Sequence, residues 1–109
     1  MMNDGSFSAS ELAGITCSPW ENGVPEGKNF TLSTDTRCDN RGKIFFALAG
    51  ERFDAHDFLD KAVASGAAGL CIDRRKISSV PDGIPFLAVD DTLQAYQSCG
   101  AYHRNRFPQ

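Results

Sequence analysis

Two short stretches of this chain carry residue types that can do chemistry on a ligand. The first is Thr34-Asp35-Thr36-Arg37. Two hydroxyls, a carboxylate and a guanidinium in direct succession can hold a sugar or a base edge through Thr and Asp, and an anion through Arg. The same residues also suit an ordinary turn, with short polar side chains bonded to their own backbone and Arg37 simply exposed. The second stretch is Gly50-Glu51-Arg52-Phe53-Asp54. Gly50 allows close backbone approach, Arg52 can pair with a phosphate, and Phe53 can stack on a base. The helix start that follows offers free N–H groups to an anion, although Asp54 and Asp57 compete for that field. The alternative is a capped helix with Arg52 in solvent and Phe53 acting only as a hydrophobic staple.

Other reactive residue types are less suggestive. No G-x-x-x-x-G-K-[ST] and no G-x-G-x-x-G occurs, so nucleoside-triphosphate chemistry is not expected of this chain. No nucleophile–base pair stands out, and no catalytic residue is assigned. His56 lies between Ala55 and Asp57 in a first helical turn, where a helix-surface or cap-region histidine is preferred to a general base. His103 reads as a packed histidine at the core's edge. Arg74-Arg75-Lys76 can touch phosphate but reads as a solvated face after a strand. Cys17, Cys38, Cys71 and Cys99 are scattered, with no C-x-x-C pair, and are expected to be reduced and mostly buried. Their spacing disfavours a zinc site with His56 or His103, so no metal is assigned.

The elements that must position the two stretches are legible from pattern. Residues 1–6 are small and polar and are expected to fray. Ser8 and Glu11 fit a capping box, Phe7 and Leu12 a staple, and Gly14 can end the short helix they open. Residues 17–29 hold prolines and glycines and read as loop or irregular hairpin, with Trp20 plugging the core's rim. Phe30 to Ser33 alternates as a short strand, and Ile44 to Leu48 is an apolar run suited to a strand covered on both faces. Asp54 caps a helix whose inner face is Phe58, Leu59, Ala62 and Val63, and which Gly66 closes. Leu70 to Ile72 is the next strand. If it shares a sheet with Ile44–Leu48, the two are parallel and the crossover right-handed. Asp73 to Gly83 reads as surface loop and Pro85 to Val89 as a further buried strand. A last helix is capped by Asp90 or Asp91, with Leu93, Tyr96, Gly100, His103 and Phe107 inward and Pro108 as its stop.

At 109 residues the chain is one domain, or one domain of a longer protein. A formal net charge of -3 with no basic stripe argues against nucleic acid or an anionic membrane as partner. No apolar run is long enough to span a bilayer, and the N-terminus has no secretory pattern, so a cytoplasmic location is expected. Alternating strands and helices predict an α/β fold, a small layered domain with a mixed, partly parallel sheet flanked by helices.

The order of motifs T-D-T-R, R-G-K-I-F-F-A-L-A-G-E-R-F-D-A-H-D-F and A-V-A-S-G-A-A-G-L resembles the N-terminal domain of the Mur ligases. The likeness extends through Pro85–Val89 and D-D-T-L-Q-A, covering roughly Phe30 to Phe107. The G-E-R-F-D-A-H-D-F wording is similar to the branch that adds D-alanyl-D-alanine to UDP-N-acetylmuramoyl-tripeptide. The diaminopimelate- or lysine-adding sibling is the alternative, and a stand-alone nucleotide-sugar-binding regulatory module is another. The resemblance implies a three-domain, ATP-dependent ligase of peptidoglycan synthesis. Residues 1–109 would be its UDP-binding domain, inactive alone, with ATP and Mg held by a central domain and D-alanyl-D-alanine received through the other domains. It also implies Thr34, Asp35, Thr36, Arg37, Gly50, Glu51, Arg52, Phe53 and Asp54 as UDP contacts. Two positions depart from the family pattern: Arg41 stands where proline is common, and Ala55 where many members have glycine.

Overall fold

The computed structural model describes residues 7–36, 39–48 and 54–106, without the side chains of 103–106. Its centre is a five-stranded sheet in the order β1-β5-β4-β3-β2. The strands are β1 (Trp20–Glu21), β2 (Thr31–Ser33), β3 (Lys43–Phe46), β4 (Gly69–Asp73) and β5 (Phe86–Val89). β2, β3, β4 and β5 are mutually parallel, and β1 pairs antiparallel with β5 at the edge. The mixed, partly parallel sheet expected of the sequence is therefore present. Residues 17–29 read as loop or irregular hairpin, and the strand they contain, β1, pairs with β5 rather than within the segment; two residues are too few to show a period. Tertiary contact makes this strand, since half-buried Trp20 packs with the core and its indole N–H donates to the Ala9 carbonyl at 2.8 Å.

Apolar runs in β3, β4 and β5 are buried on both faces because successive strand residues point to opposite sides. Phe45, Leu70, Ile72 and Phe86 face α2 (Leu59–Ala64) through Leu59 and Ala62. Ile44, Phe46, Cys71 and Leu87 face α1 (Ala9–Thr16) and α3 (Thr92–Arg106) through Leu12, Ala95 and Cys99. The result is three layers, with β3–α2–β4 as the parallel crossover at the middle.

Local chemistry sets most helix ends. The Ser8 hydroxyl accepts from the Glu11 N–H at 3.1 Å, and the Glu11 carboxylate from the Ser8 N–H at 2.8 Å, a complete capping box. Gly14 does not end α1. The helix continues to Thr16, and Cys17 takes the left-handed conformation (φ 56°) in which the Cys17 and Ser18 N–H groups reach the Gly14 and Ala13 carbonyls. Asp54 caps as expected, accepting from the His56 N–H at 2.9 Å, but the segment opens as a 3-10 turn (Ala55–Phe58) before α2. Ala55 is buried there with no left-handed φ, so the alanine that departs from the family pattern is accommodated without strain. Gly66 closes α2 at φ 101°, and a Cβ there would lie 2.5 Å from the Arg41 side chain.

Two further expectations are corrected. Asp73–Gly83 is not loop throughout: Asp73 caps a 3-10 turn over Arg74–Ser79 by accepting from the Arg75 N–H at 2.9 Å. In α3, where Asp91 accepts from the Gln94 N–H at 3.1 Å, Leu93 points outward and is 49% exposed. The inner face is Thr92, Ala95 and Cys99, with Tyr96 edge-on to Phe46 at 5.5 Å between ring centroids. Small side chains spaced three and four apart let α3 lie close to the sheet, and Leu93 is one residue out of that phase. Residues 1–6, Phe107, Pro108 and the His103 side chain, on which expectations were placed, lie outside the described residues.

Candidate functional site

Because β2, β3, β4 and β5 run parallel, their carboxyl ends share one edge of the sheet. Thr34–Thr36 leaves β2 there, Asp54 follows β3, Asp73 ends β4 with Arg74–Lys76 after it, and Asp90 follows β5. β2 and β3 are neighbours, with Ser33 opposite Phe45. The fold therefore brings Thr34–Thr36 and Asp54, the described parts of the two stretches, to the same edge of the sheet. The Ala55 N–H donates to the Leu48 carbonyl at 3.0 Å, so the residues on either side of 49–53 are joined at the end of β3. Arg37, Gly50, Glu51, Arg52 and Phe53 lie outside the described residues.

Within the first stretch, Thr34 is exposed while Asp35 and Thr36 are half-buried. Buried Ser33 contacts the Asp35 backbone at its N–H and its carbonyl, both at 3.3 Å, giving the local turn that short polar residues favour. Asn40 braces that turn from behind. It is fully buried, its amide donates to the Asp35 carbonyl at 3.1 Å and to the Ser65 hydroxyl at 2.8 Å, and its N–H donates to the Ser65 carbonyl at 2.9 Å. One side chain thus ties the turn after β2 to the end of α2. The sequence reading missed Asn40. Its only signal was an Asn beside Asp39 before Gly42, which also describes an exposed turn.

At Asp54 the arrangement is tighter than expected. His56 is not on the surface: it is 4% exposed, its Nδ1 lies 2.6 Å from Asp54 Oδ1, and its Nε2 accepts the Asp73 N–H at 2.9 Å. Burial pushes the Asp54 carboxyl up, but the His56 N–H, the His56 ring and Lys76, 3.5 Å from Oδ2, together outweigh it and hold the carboxyl below its ordinary value. Asp73 is held at about 2, first by its hydrogen bond from Arg75 at 2.6 Å, with burial opposing. Arg74, Arg75 and Lys76 are exposed as expected, and each has a carboxylate partner: Asp90, Asp73 and Asp54 respectively.

Farther along the same edge, a cleft of about 260 Å³ opens between the end of α1, the end of β5 and the start of α3. Cys17, Arg74, Asp90 and Gln94 line it, and Thr34, Asp35, Thr36 and Asp54 do not. Among the described residues, no group of three or more His, Cys, Asp or Glu side chains is arranged to hold a metal ion. Cys17, Cys71 and Cys99 are free thiols. Burial pushes the Cys99 thiol up to about 11 and the Cys71 thiol higher still. Among the described residues, no helix is long and apolar enough to cross a membrane.

No family model matches the chain. Individual relatives do. It is 42% identical over 106 residues to the UDP-N-acetylmuramoyl-tripeptide–D-alanyl-D-alanine ligase of Escherichia coli K12, covering 94% of this chain and 22% of that one. The ligase of the same name from Haemophilus influenzae is 46% identical over 75 residues, covering 69% and 16%. A crystal structure of MurF from Acinetobacter baumannii superposes with a TM-score of 0.83 at 32% identity, covering 94% of this chain and 22% of that one. The chain belongs to the Mur ligase family. It matches the short N-terminal region of these ligases and spans about a fifth of the length of the E. coli relative. A diaminopimelate ligase of the family, from Bradyrhizobium diazoefficiens, is 39% identical over 66 residues, covering 59% of this chain and 13% of that one. The Mur ligase fold class expected from the sequence therefore stands on both sequence and structure.

Proposed function

We propose that this chain is the UDP-binding domain of a Mur ligase that adds D-alanyl-D-alanine to UDP-N-acetylmuramoyl-tripeptide. One observation carries the reading: Thr34–Thr36 and Asp54, the described members of the two polar stretches, lie at the carboxyl edge of a parallel sheet, where open α/β folds take their ligands. Thr34, Asp35 and Thr36 take the uridine hydroxyls and base edge, and Arg37 an oxygen of the diphosphate. Gly50, Glu51, Arg52, Phe53 and Asp54 close round the uracil and diphosphate from the β3 side, with Arg52 as the second cation. The names of relatives at 42% and 46% identity, against 39% for a diaminopimelate ligase, favour the D-alanyl-D-alanine branch over its diaminopimelate-adding sibling.

The chemistry of the ligation belongs elsewhere in this scheme. ATP supplies a phosphoryl group that activates the substrate's terminal carboxylate, and the dipeptide amine displaces it. Residues of this chain do not fit a Mg-ATP site: the sequence lacks the phosphate-cradling G-x-x-x-x-G-K-[ST] pattern. Its own task is to bind and orient one end of a long substrate. A full-length protein acting on this substrate works in the cytoplasm, and reading the gene onward should meet the P-loop soon after Gln109.

Titration of the 109-residue chain with UDP, followed by backbone NMR, tests the site. Shifts are expected at Thr34–Thr36 and Asp54. Arg37→Ala and Arg52→Ala should each weaken binding by about 1–3 kcal/mol, the loss of a charge-assisted hydrogen bond. Shifts confined to the Cys17–Arg74–Asp90 cleft, or wild-type affinity in both variants, would overturn the assignment. Assay of the full-length enzyme with D-alanyl-D-alanine against diaminopimelate separates the two branches.

A further inference from the structure

His56 lies two residues from Asp54, the last proposed ligand contact, and is hydrogen-bonded to it from inside the fold. Its side chain is 2% exposed, and both ring nitrogens are engaged. Nε2 receives the Asp73 backbone N–H, which can only donate, so Nε2 carries a lone pair. The proton must then sit on Nδ1, where it is donated to Asp54 Oδ1. Asp54 Oδ1 also accepts the His56 backbone N–H, so one carboxylate oxygen holds the residue at two points. The neutral ring thereby spans from the 3-10 turn after β3 to the last residue of β4.

We infer that His56 is a positioning residue for the ligand edge, fixing Asp54 against the exit of β4 through its neutral, Nδ1-protonated form. This role rests on the UDP-binding reading above. A second proton on Nε2 would set two N–H donors against each other and release the Asp73 backbone. Among the described residues, the ring meets the Asp54 carboxylate and the Asp73 backbone N–H, and Lys76 and Arg75 pair with the carboxylates of those two residues. The Asp54 carboxylate is in hydrogen-bond contact with the ring, whereas Asp73 meets it through its backbone N–H, which requires a bare Nε2. In the same way, loss of the ring frees Asp54 to follow Lys76, 3.5 Å from its Oδ2, rather than the sheet.

The test combines a readout free of ligand with one that needs it. Nitrogen-15 spectra of the ring at neutral pH should show Nδ1 protonated and Nε2 bare. UDP affinity should fall about tenfold in His56→Ala, equivalent to about 1.4 kcal/mol. It should be largely restored in His56→Gln, whose amide oxygen can accept from Asp73. A protonated Nε2 at neutral pH, or equal UDP affinity in the three proteins, overturns the inference. If His56→Ala does not fold, the wild-type ring spectra and the affinity of His56→Gln decide it. Should UDP leave the Thr34–Thr36 resonances of the wild type unmoved, the UDP reading falls and the ligand role of His56 with it. The ring spectra, taken without ligand, would still show whether the bridge exists.

Discussion

Asn40 and His56 do comparable work on neighbouring parts of the ligand edge. Each is a buried polar side chain whose partners lie on different elements, and each is satisfied by geometry that only the folded chain supplies. Removing such a group leaves its partners buried and unpaired, which costs more than the bond itself contributes. Asn40→Ala should therefore destabilise the fold by about 1–3 kcal/mol, measured by urea unfolding, and should also weaken UDP binding by loosening the turn at Asp35. An unchanged unfolding midpoint would show that the Asp35 carbonyl and Ser65 hydroxyl find other partners. Asp73 makes a separate statement about pH. Its carboxyl is held at about 2 against an ordinary 3.8, so its ion pair with Arg75 stabilises the fold above about pH 4. That contribution is lost as pH falls from about 4 to about 2. Asp73→Asn should flatten the acid side of the stability profile across that window while leaving its shape near neutrality unchanged.

At the scale of elements, helix ends were mostly set by neighbours in sequence. The Ser8–Glu11 box needs only three residues of separation, and Ser8→Ala should cost about 1 kcal/mol in thermal or denaturant unfolding. Gly66 combines a local and a distant constraint. Its positive φ disfavours any side chain, and a Cβ would also meet the Arg41 side chain. Gly66→Ala should destabilise by about 1–2 kcal/mol, and Arg41→Ala should recover only the steric part, because the backbone penalty remains. Full recovery in the double variant would mean that the left-handed conformation costs little here. The other helix-end glycine, Gly14, shows the limit of such reading, because α1 passes through it and Cys17 supplies the left-handed residue instead.

For the molecule as a whole, helical layers cover both faces of the central strands β3, β4 and β5, and the two buried thiols report on that seal. Cys71 sits on β4 and Cys99 on α3, both with fully buried side chains whose thiols are pushed well up, whereas Cys17 is exposed. Under native conditions a thiol reagent should label Cys17 and spare Cys71 and Cys99, with sites mapped by mass spectrometry. The protected pair should become reactive together, at the global unfolding midpoint. Early labelling of Cys99 alone would indicate that α3 detaches from the sheet before the rest unfolds.

The sequence by itself determined what depends on nearest neighbours and on period. That includes the buried runs of β3, β4 and β5, the caps at Ser8 and Asp54, the cap at Asp90 or Asp91, the closing Gly66, and the two polar stretches with their family likeness. These are readable because a side chain's hydrogen bond to a backbone three residues away, or an unbroken apolar strand, has few alternative explanations. What only the tertiary structure decided depends on contacts between residues far apart in the chain. β1 exists because β5 is beside it. Leu93 turns out to solvent because the approach of α3 to the sheet favours Thr92, Ala95 and Cys99. Arg74 and Lys76 find carboxylates that follow β5 and β3. His56, flanked by Ala and Asp, has the local look of a surface residue. It is drawn inside because β4 ends with a backbone N–H pointing at its ring, a fact that no spacing within D-A-H-D-F contains.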